Sequence, residues 1–224
     1  MRLILASASP RRAELLRAAG YAFDVVVAGV DESMRDGESP EIYVRRLAAE
    51  KSAAVMAAIA RGHATNDGPA EAGHYGNEAG PAEAGHYKDD TIVLGADTTV
   101  VVDGEMLGKP IDDRDSARML TRLSGRAHQV LTGISLRRGA FELGRVETTT
   151  VSFAPLDDDE VAWYVATGEG RDKAGAYAIQ GVASRFIPRI DGSYSNVVGL
   201  PVASVRELLT EISGTRRGRS SPRR

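Results

Sequence analysis

The chain contains no cysteine, which excludes disulfides, thiolate chemistry and cysteine-based zinc sites. It has no apolar run approaching the length that spans a bilayer. Its apolar start is too short for a signal peptide and lacks a cleavage site, so a cytoplasmic protein with no membrane contact is expected. A basic balance is missing as well. The formal net charge is -3, yet residues 214–224 (GTRRGRSSPRR) carry five arginines and no acid, which leaves the rest of the chain at -8. So acidic a body argues against a nucleic-acid partner beyond the tail, and the tail's composition reads as disordered. No linker divides the 224 residues, and strand-like and helix-like segments do not alternate strictly. The expectation is a single α/β domain at 1–213, a mixed, strongly twisted β-sheet flanked by helices, followed by the basic tail at 214–224.

What is present begins with the first twenty residues, MRLILASASPRRAELLRAAG. Leu3, Ile4 and Leu5 read as a buried strand. Ala6-Ser7-Ala8-Ser9 is a small-residue loop that lets backbone N–H groups approach a ligand, Ser9 is a natural N-cap, and Pro10 suits the first position of a helix. Leu15, Leu16 and Ala19 then recur at helical spacing until Gly20. Arg11 and Arg12 therefore fall on a first helical turn, where free N–H groups and the helix dipole already favour an anion. Paired guanidinium forks at that position suit a polyphosphate; an ordinary βα unit with solvated arginines fits the local pattern equally well.

Tyr21–Val30 alternates as a second strand, with Asp31-Glu32-Ser33 closing it. Ser39-Pro40 opens a long helix to about Arg61 that carries Lys51 at its middle. Residues 62–90 lack apolar periodicity, contain GPAEAGHY twice, and hold His63, His74 and His86. A flexible, duplicated surface insertion is the reading, since added loop length costs little free energy. Thr91–Leu94 and Thr99–Val102 read as two strands joined by a tight junction at Gly95–Thr98. Asp103-Gly104 signals a hairpin. A helix is expected over Asp113–Ser124, and Gln129–Phe153 as a long antiparallel strand pair. Asp157–Thr167 should be helical, Phe186–Ile190 a strand, and Pro201–Leu209 a last helix.

Polyphosphate hydrolysis needs cations for the leaving pyrophosphate, carboxylates for a divalent metal, and a group acting on water. The candidates are Arg11, Arg12, Lys51, Lys109 and Lys173 as cations and Glu32 and Asp97 as carboxylates. On pattern alone Asp97 also reads as a structural turn residue, Lys51 and Lys109 as solvated charges, and Gln180 as a core amide. Their motifs occur in order along nearly the whole chain: ASASPRR at 6–12, VDES at 30–33, RLAAEKS at 46–52, GADTTVVVDGEMLGKP at 95–110, LSGRAHQVLTG at 123–133, YVATGEGRDKAGAYAIQG at 164–181 and GSYSNVVGLP at 192–201.

This series resembles the Maf family of nucleoside triphosphate pyrophosphatases, of Maf/ITPase-like fold, and only the insertion and the tail fall outside it. The resemblance implies cleavage between the α and β phosphates, giving a monophosphate and pyrophosphate, in a housecleaning role. It implies that Ser7, Arg11, Arg12 and Lys173 bind substrate, that Asp97 and Glu32 serve the metal and the attacking water, and that Lys51 and Lys109 stabilise the leaving group. Mg2+ is the implied cofactor, with Mn2+ as alternative, and a homodimer the implied assembly. Thr98 and Gln180 match the family's specificity positions. GADT and DKAGAYAIQG resemble the branch acting on dTTP and UTP, and a glutamine amide suits the imide edge of thymine or uracil. The alternatives are a 7-methyl-GTP or broad-specificity pyrophosphatase, and a nucleotide-binding regulator of septum formation without turnover.

Overall fold

The apolar run at the start forms β1 (Arg2–Ala6), whose last four residues are buried. The Ser-Pro pair that follows starts α1 (Pro10–Ala18), with Pro10 in the first turn. This is a computed structural model, and it describes residues 1–27, 29–62 and 90–214. The GPAEAGHY repeats, His63, His74 and His86, and the arginines of the tail lie outside the described residues.

The second strand is far shorter than its alternation suggested. β2 comprises only Asp24–Val25, paired in parallel with Ile4 and Leu5. It is an edge strand with one neighbour, so the chain leaves the sheet as soon as that pairing ends and Glu32 follows in an irregular segment. Ser39 then caps α2 (Pro40–Ala60), its side chain accepting from the Ile42 N–H. After the undescribed segment, β3 (Thr91–Val102) runs unbroken for 12 residues and turns through Asp103-Gly104 into β4 (Glu105–Leu107). Both turn residues have positive φ, 49° and 79°, as the hairpin signal required. The expected junction at Gly95–Thr98 is thus a correction: those residues are mid-strand, paired with the next strand opposite Ser135–Thr132.

The remaining elements are α3 (Asp113–Leu123), β5 (Ala127–Arg138), β6 (Phe141–Ser152) and α4 (Asp158–Ala166). β7 (Arg189–Asp191), α5 (Tyr194–Val198) and α6 (Val202–Gly214) complete the chain. Asp157 and Glu160 form a reciprocal capping box at the start of α4. Two expectations near the end are corrected. Phe186 closes a 3-10 turn (Val182–Phe186) rather than opening a strand, and α6 continues past Leu209 to Gly214. The seven strands make one mixed sheet in the order β2-β1-β3-β5-β6-β7, with β4 on β3. β1 pairs in parallel on both sides, and β5 and β6 form the long antiparallel pair.

Alternation along β3 decides what lies on each face. Ile92, Leu94 and Ala96 join Leu16, Ile134, Val205 and Leu208 in a core with α1 and α6. Val100 and Val102 join Leu120, Leu123, Val161 and Tyr164 in a second core with α3 and α4. Thr98 falls in the gap between the two. On the other face α2 lies directly on β3 and β5, and glycines make that possible: a Cβ at Gly95 would sit 2.1 Å from the Ala48 carbonyl, and one at Gly133 2.2 Å from that of Val44. Each fully buried leucine or valine in these cores contributes about 1.5–3 kcal/mol.

Candidate active site

The cleft opens where β3 changes neighbour. β1 pairs with Thr91–Gly95 and β4 with Val100–Val102, so Ala96–Thr99 bond to β5 on one edge and have no strand on the other. Ala6 ends opposite Gly95, and the chain passes into this gap as Ser7-Ala8-Ser9. Leu107 ends opposite Val100, and the chain enters from the other side as Gly108-Lys109. Backbone left unpaired at a change of strand neighbour is where ligands meet open sheets. Here it bounds a cleft of about 520 Å³, a volume in the range of small-molecule sites.

All ten residues picked from the sequence line this cleft: Ser7, Arg11, Arg12, Glu32, Lys51, Asp97, Thr98, Lys109, Lys173 and Gln180. Asp97, on the face of β3 toward α2, accepts a hydrogen bond from Lys51 Nζ at 2.7 Å, with both side chains nearly out of solvent. The same Nζ lies 2.7 Å from Glu32 Oε1. Partial burial pushes the Glu32 carboxyl up, but the Lys51 bond and the charges of Lys51, Lys109 and Arg12 overcome it and hold the group below the usual carboxylate value. The Glu32 segment is itself tied to α2. Tyr43 donates from its hydroxyl to the Glu32 carbonyl, and Arg46 to that of Ser33. Arg46 also grips Glu38 through two bonds of 2.6 and 2.7 Å, which pull that carboxyl down to about 2.

Arg12 is a buried strut. Its Nε donates to the Gly199 carbonyl at 2.8 Å, Nη1 to Ser7 Oγ at 3.0 Å and Nη2 to Thr98 Oγ1 at 3.1 Å. Burial lowers its pKa, with Asp97 pulling the other way, and a guanidinium keeps its charge regardless. Arg11 instead pairs with Asp172 at 2.9 Å, and Asp172 also accepts from Lys173 at 2.6 Å. Partial burial raises the Asp172 carboxyl, but these two cations dominate and hold it at about 2. Ser9 stands at the N-cap of α1, yet its side chain makes no cap bond. Lys109 and Gln180 are exposed and bond to no other described residue through their side chains.

The cleft therefore sets five cations (Arg11, Arg12, Lys51, Lys109 and Lys173) against three carboxylates (Glu32, Asp97 and Asp172). That surplus favours a polyanion. Glu32 and Asp97 also suit a divalent metal, because one oxygen of each converges on a single point, now taken by Lys51 Nζ. Hard oxygen donors in that number match Mg2+ shared with substrate phosphates and water rather than caged by protein. No cluster of three or more candidate ligands occurs among the described residues.

Sequence reasoning missed four contributors. Asp172 lines the cleft beside Arg11 and Lys173, and its local signal is the charged run Arg-Asp-Lys. Tyr43, on a helix, lines the cleft and holds the Glu32 carbonyl. Tyr177, beside Gly175 and Ala176 with their positive φ of 71° and 59°, gave no local signal. Gly199 contributes a carbonyl, which no side-chain pattern announces.

Comparison with known sequences decides what carries this architecture. The family model described as Maf-like protein matches residues 2–212. The chain belongs to the Maf family. A dTTP/UTP pyrophosphatase of Symbiobacterium thermophilum (strain DSM 24528 / JCM 14929 / IAM 14863 / T) is 48% identical over 209 residues, covering 93% of each chain. One of Anaeromyxobacter sp. (strain Fw109-5) is 47% identical over 213 residues, 93% of this chain and 88% of its own. A third, of Shewanella oneidensis (strain ATCC 700550 / JCM 31522 / CIP 106686 / LMG 19005 / NCIMB 14063 / MR-1), is 43% identical over 94% of this chain and 98% of its own. The cleft at the interrupted edge of β3 is thus the candidate active site of a Maf protein. No helix among the described residues is long and apolar enough to cross a membrane.

Proposed function

We propose that this Maf protein hydrolyses dTTP and UTP, and modified pyrimidine nucleotides, to the monophosphate and pyrophosphate, clearing the nucleotide pool. The observation that carries the reading is the convergence of Lys51 on both Asp97 and Glu32 inside a cleft lined by four further cations. The names of the related proteins support the choice of nucleotides.

In the reaction a water oxygen bonds to the α-phosphorus and the bond to the bridging oxygen breaks, releasing pyrophosphate. Asp97 acts on the attacking water and Glu32 assists it. Arg11, Lys173 and Ser7 hold the phosphate chain, and Arg12, with two N–H groups left after its three protein bonds, orients it. Lys51 and Lys109 balance charge developing on the leaving group, the largest contribution such a site makes. Asp97 and Glu32 would hold Mg2+, or Mn2+ in its place; the metal supplies Lewis-acid polarisation of a phosphoryl oxygen. Gln180 reads the base through donor and acceptor together, and Thr98 holds Arg12 in place. A cytoplasmic homodimer without a nucleic-acid partner completes the proposal, supported by the family likeness and the acidic body.

The test is pyrophosphate release from dTTP, UTP, CTP, GTP, 7-methyl-GTP and ATP with Mg2+, for wild type and Asp97→Asn. Turnover of dTTP and UTP, reduced roughly 10²–10⁴-fold in the variant, is the expected result. Turnover of 7-methyl-GTP in their place would overturn the specificity, and nucleotide binding without turnover would overturn the enzyme.

A further inference from the structure

Among the described residues Gln180 is the only side-chain amide lining the cleft, and no other of them holds it. Its place therefore depends on its backbone. That backbone is anchored from both sides by one group outside the cleft. The Glu169 carboxylate accepts from the Val182 N–H at 2.9 Å, the Ala183 N–H at 3.3 Å and the Tyr164 hydroxyl at 2.8 Å. The buried Tyr164 hydroxyl in turn accepts from the Ala178 N–H at 3.1 Å. Ala178, two positions before Gln180, and Val182 and Ala183, two and three positions after it, are thus fixed through the same carboxylate. Gly181 belongs to the device, because a Cβ there would lie 1.7 Å from Glu169 Oε1. The Glu169 carbonyl, finally, accepts from Lys173 Nζ at 2.6 Å.

We propose that Glu169 is a positioning residue for nucleotide selection: its carboxylate, with Tyr164 as relay, sets the 178–183 segment so that the Gln180 amide meets the base. Three donors converge on it, so only an all-acceptor group satisfies the site. A glutamine would present an NH2 to at least one of these donors and lose that hydrogen bond. The proposal rests on the reading of the cleft as a nucleotide site. Because Lys173 is held by the Glu169 main chain, a side-chain change releases the base reader and leaves the phosphate cations in place.

The experiment compares Glu169→Gln and Tyr164→Phe with wild type in kcat and KM for dTTP, UTP and CTP, in inhibition by inorganic pyrophosphate, and in amide exchange of 177–183. The expected result for Glu169→Gln is a roughly tenfold rise in KM for dTTP, the size of one lost charged hydrogen bond. Its preference over CTP narrows, pyrophosphate inhibition is unchanged, and the amides of Ala178, Val182 and Ala183 exchange faster. Tyr164→Phe, which keeps the two backbone bonds, shows a smaller change of the same kind, with faster exchange at Ala178. A loss of melting temperature with KM and nucleotide ranking unchanged would overturn the proposal, as would an equal fall in kcat for every nucleotide. A wild type inactive on every nucleotide would overturn the functional reading and this one with it. An active wild type whose ranking survives in Glu169→Gln overturns this one alone.

Discussion

Lys51 reaches Asp97 at 2.7 Å from a helix that rests on the strand carrying that aspartate, with the Ala48 carbonyl over Gly95 one helical turn away. The ion pair is a consequence of two missing Cβ atoms, at positions 95 and 133. Their nearest neighbours are backbone atoms, which have nowhere to turn. Gly95→Ala is expected to lift α2, cost about 2–3 kcal/mol as an overpacked core position does, and lower kcat. Urea unfolding and steady-state assays on the same preparation check it. Unchanged stability and rate would show that α2 shifts freely.

Asp172 neutralises two cations that the proposed substrate needs. Asp172→Asn is expected to tighten inhibition by inorganic pyrophosphate by up to about fivefold, since an exposed ion pair contributes no more than roughly 1 kcal/mol. Inhibition constants at fixed ionic strength decide it, and weaker inhibition would mean that the carboxylate holds Arg11 and Lys173 in place.

Base choice is testable at one atom pair. Gln180→Glu replaces the donor of the amide with a second acceptor, so turnover of dTTP and UTP should fall about tenfold or more relative to GTP. Competition assays with paired nucleotides measure the ratio directly.

His128 is almost wholly buried, its Nε2 2.8 Å from the Tyr177 hydroxyl and its Nδ1 without a partner among the described residues. Burial lowers its pKa from 6.5 to about 4. The unfolded chain therefore binds this proton more readily than the folded one. Its contribution to stability is full above pH 6.5 and declines as pH falls toward 4, by at most about 1.4 kcal/mol per unit. Urea titrations at pH 7.5, 6 and 5 should show this slope in wild type and a flatter one in His128→Gln.

What could be read from residues alone was local. The strand at Leu3–Leu5, the Ser-Pro helix starts and the two arginines on a first turn need only neighbours within a few positions, and each stands where it was expected. The long pair of β5 and β6 was legible because its two strands follow one another directly in the chain. The continuity of β3 was not. Gly95-Ala96-Asp97 reads as a turn locally, while β5 pairs with it throughout and only the opposite edge changes partner. β2 failed for the converse reason: its alternation promised a strand that only β1 could pair. Asp172 and Gly199 act through partners more than 150 positions away, Arg11 and Arg12, and no window along the chain contains both ends.

The bond from Arg12 to the Gly199 carbonyl spans 187 positions. Synthesis runs from the amino end, so the first motif of the cleft leaves the ribosome long before the carbonyl that braces it. A nascent chain ending at Gln180 already carries every charged group of the site, yet its Arg12 lacks the Gly199 carbonyl and keeps only the Ser7 and Thr98 bonds. The cleft takes shape only with the last segment of the chain, and a truncated product would carry the cleft's charges without its geometry.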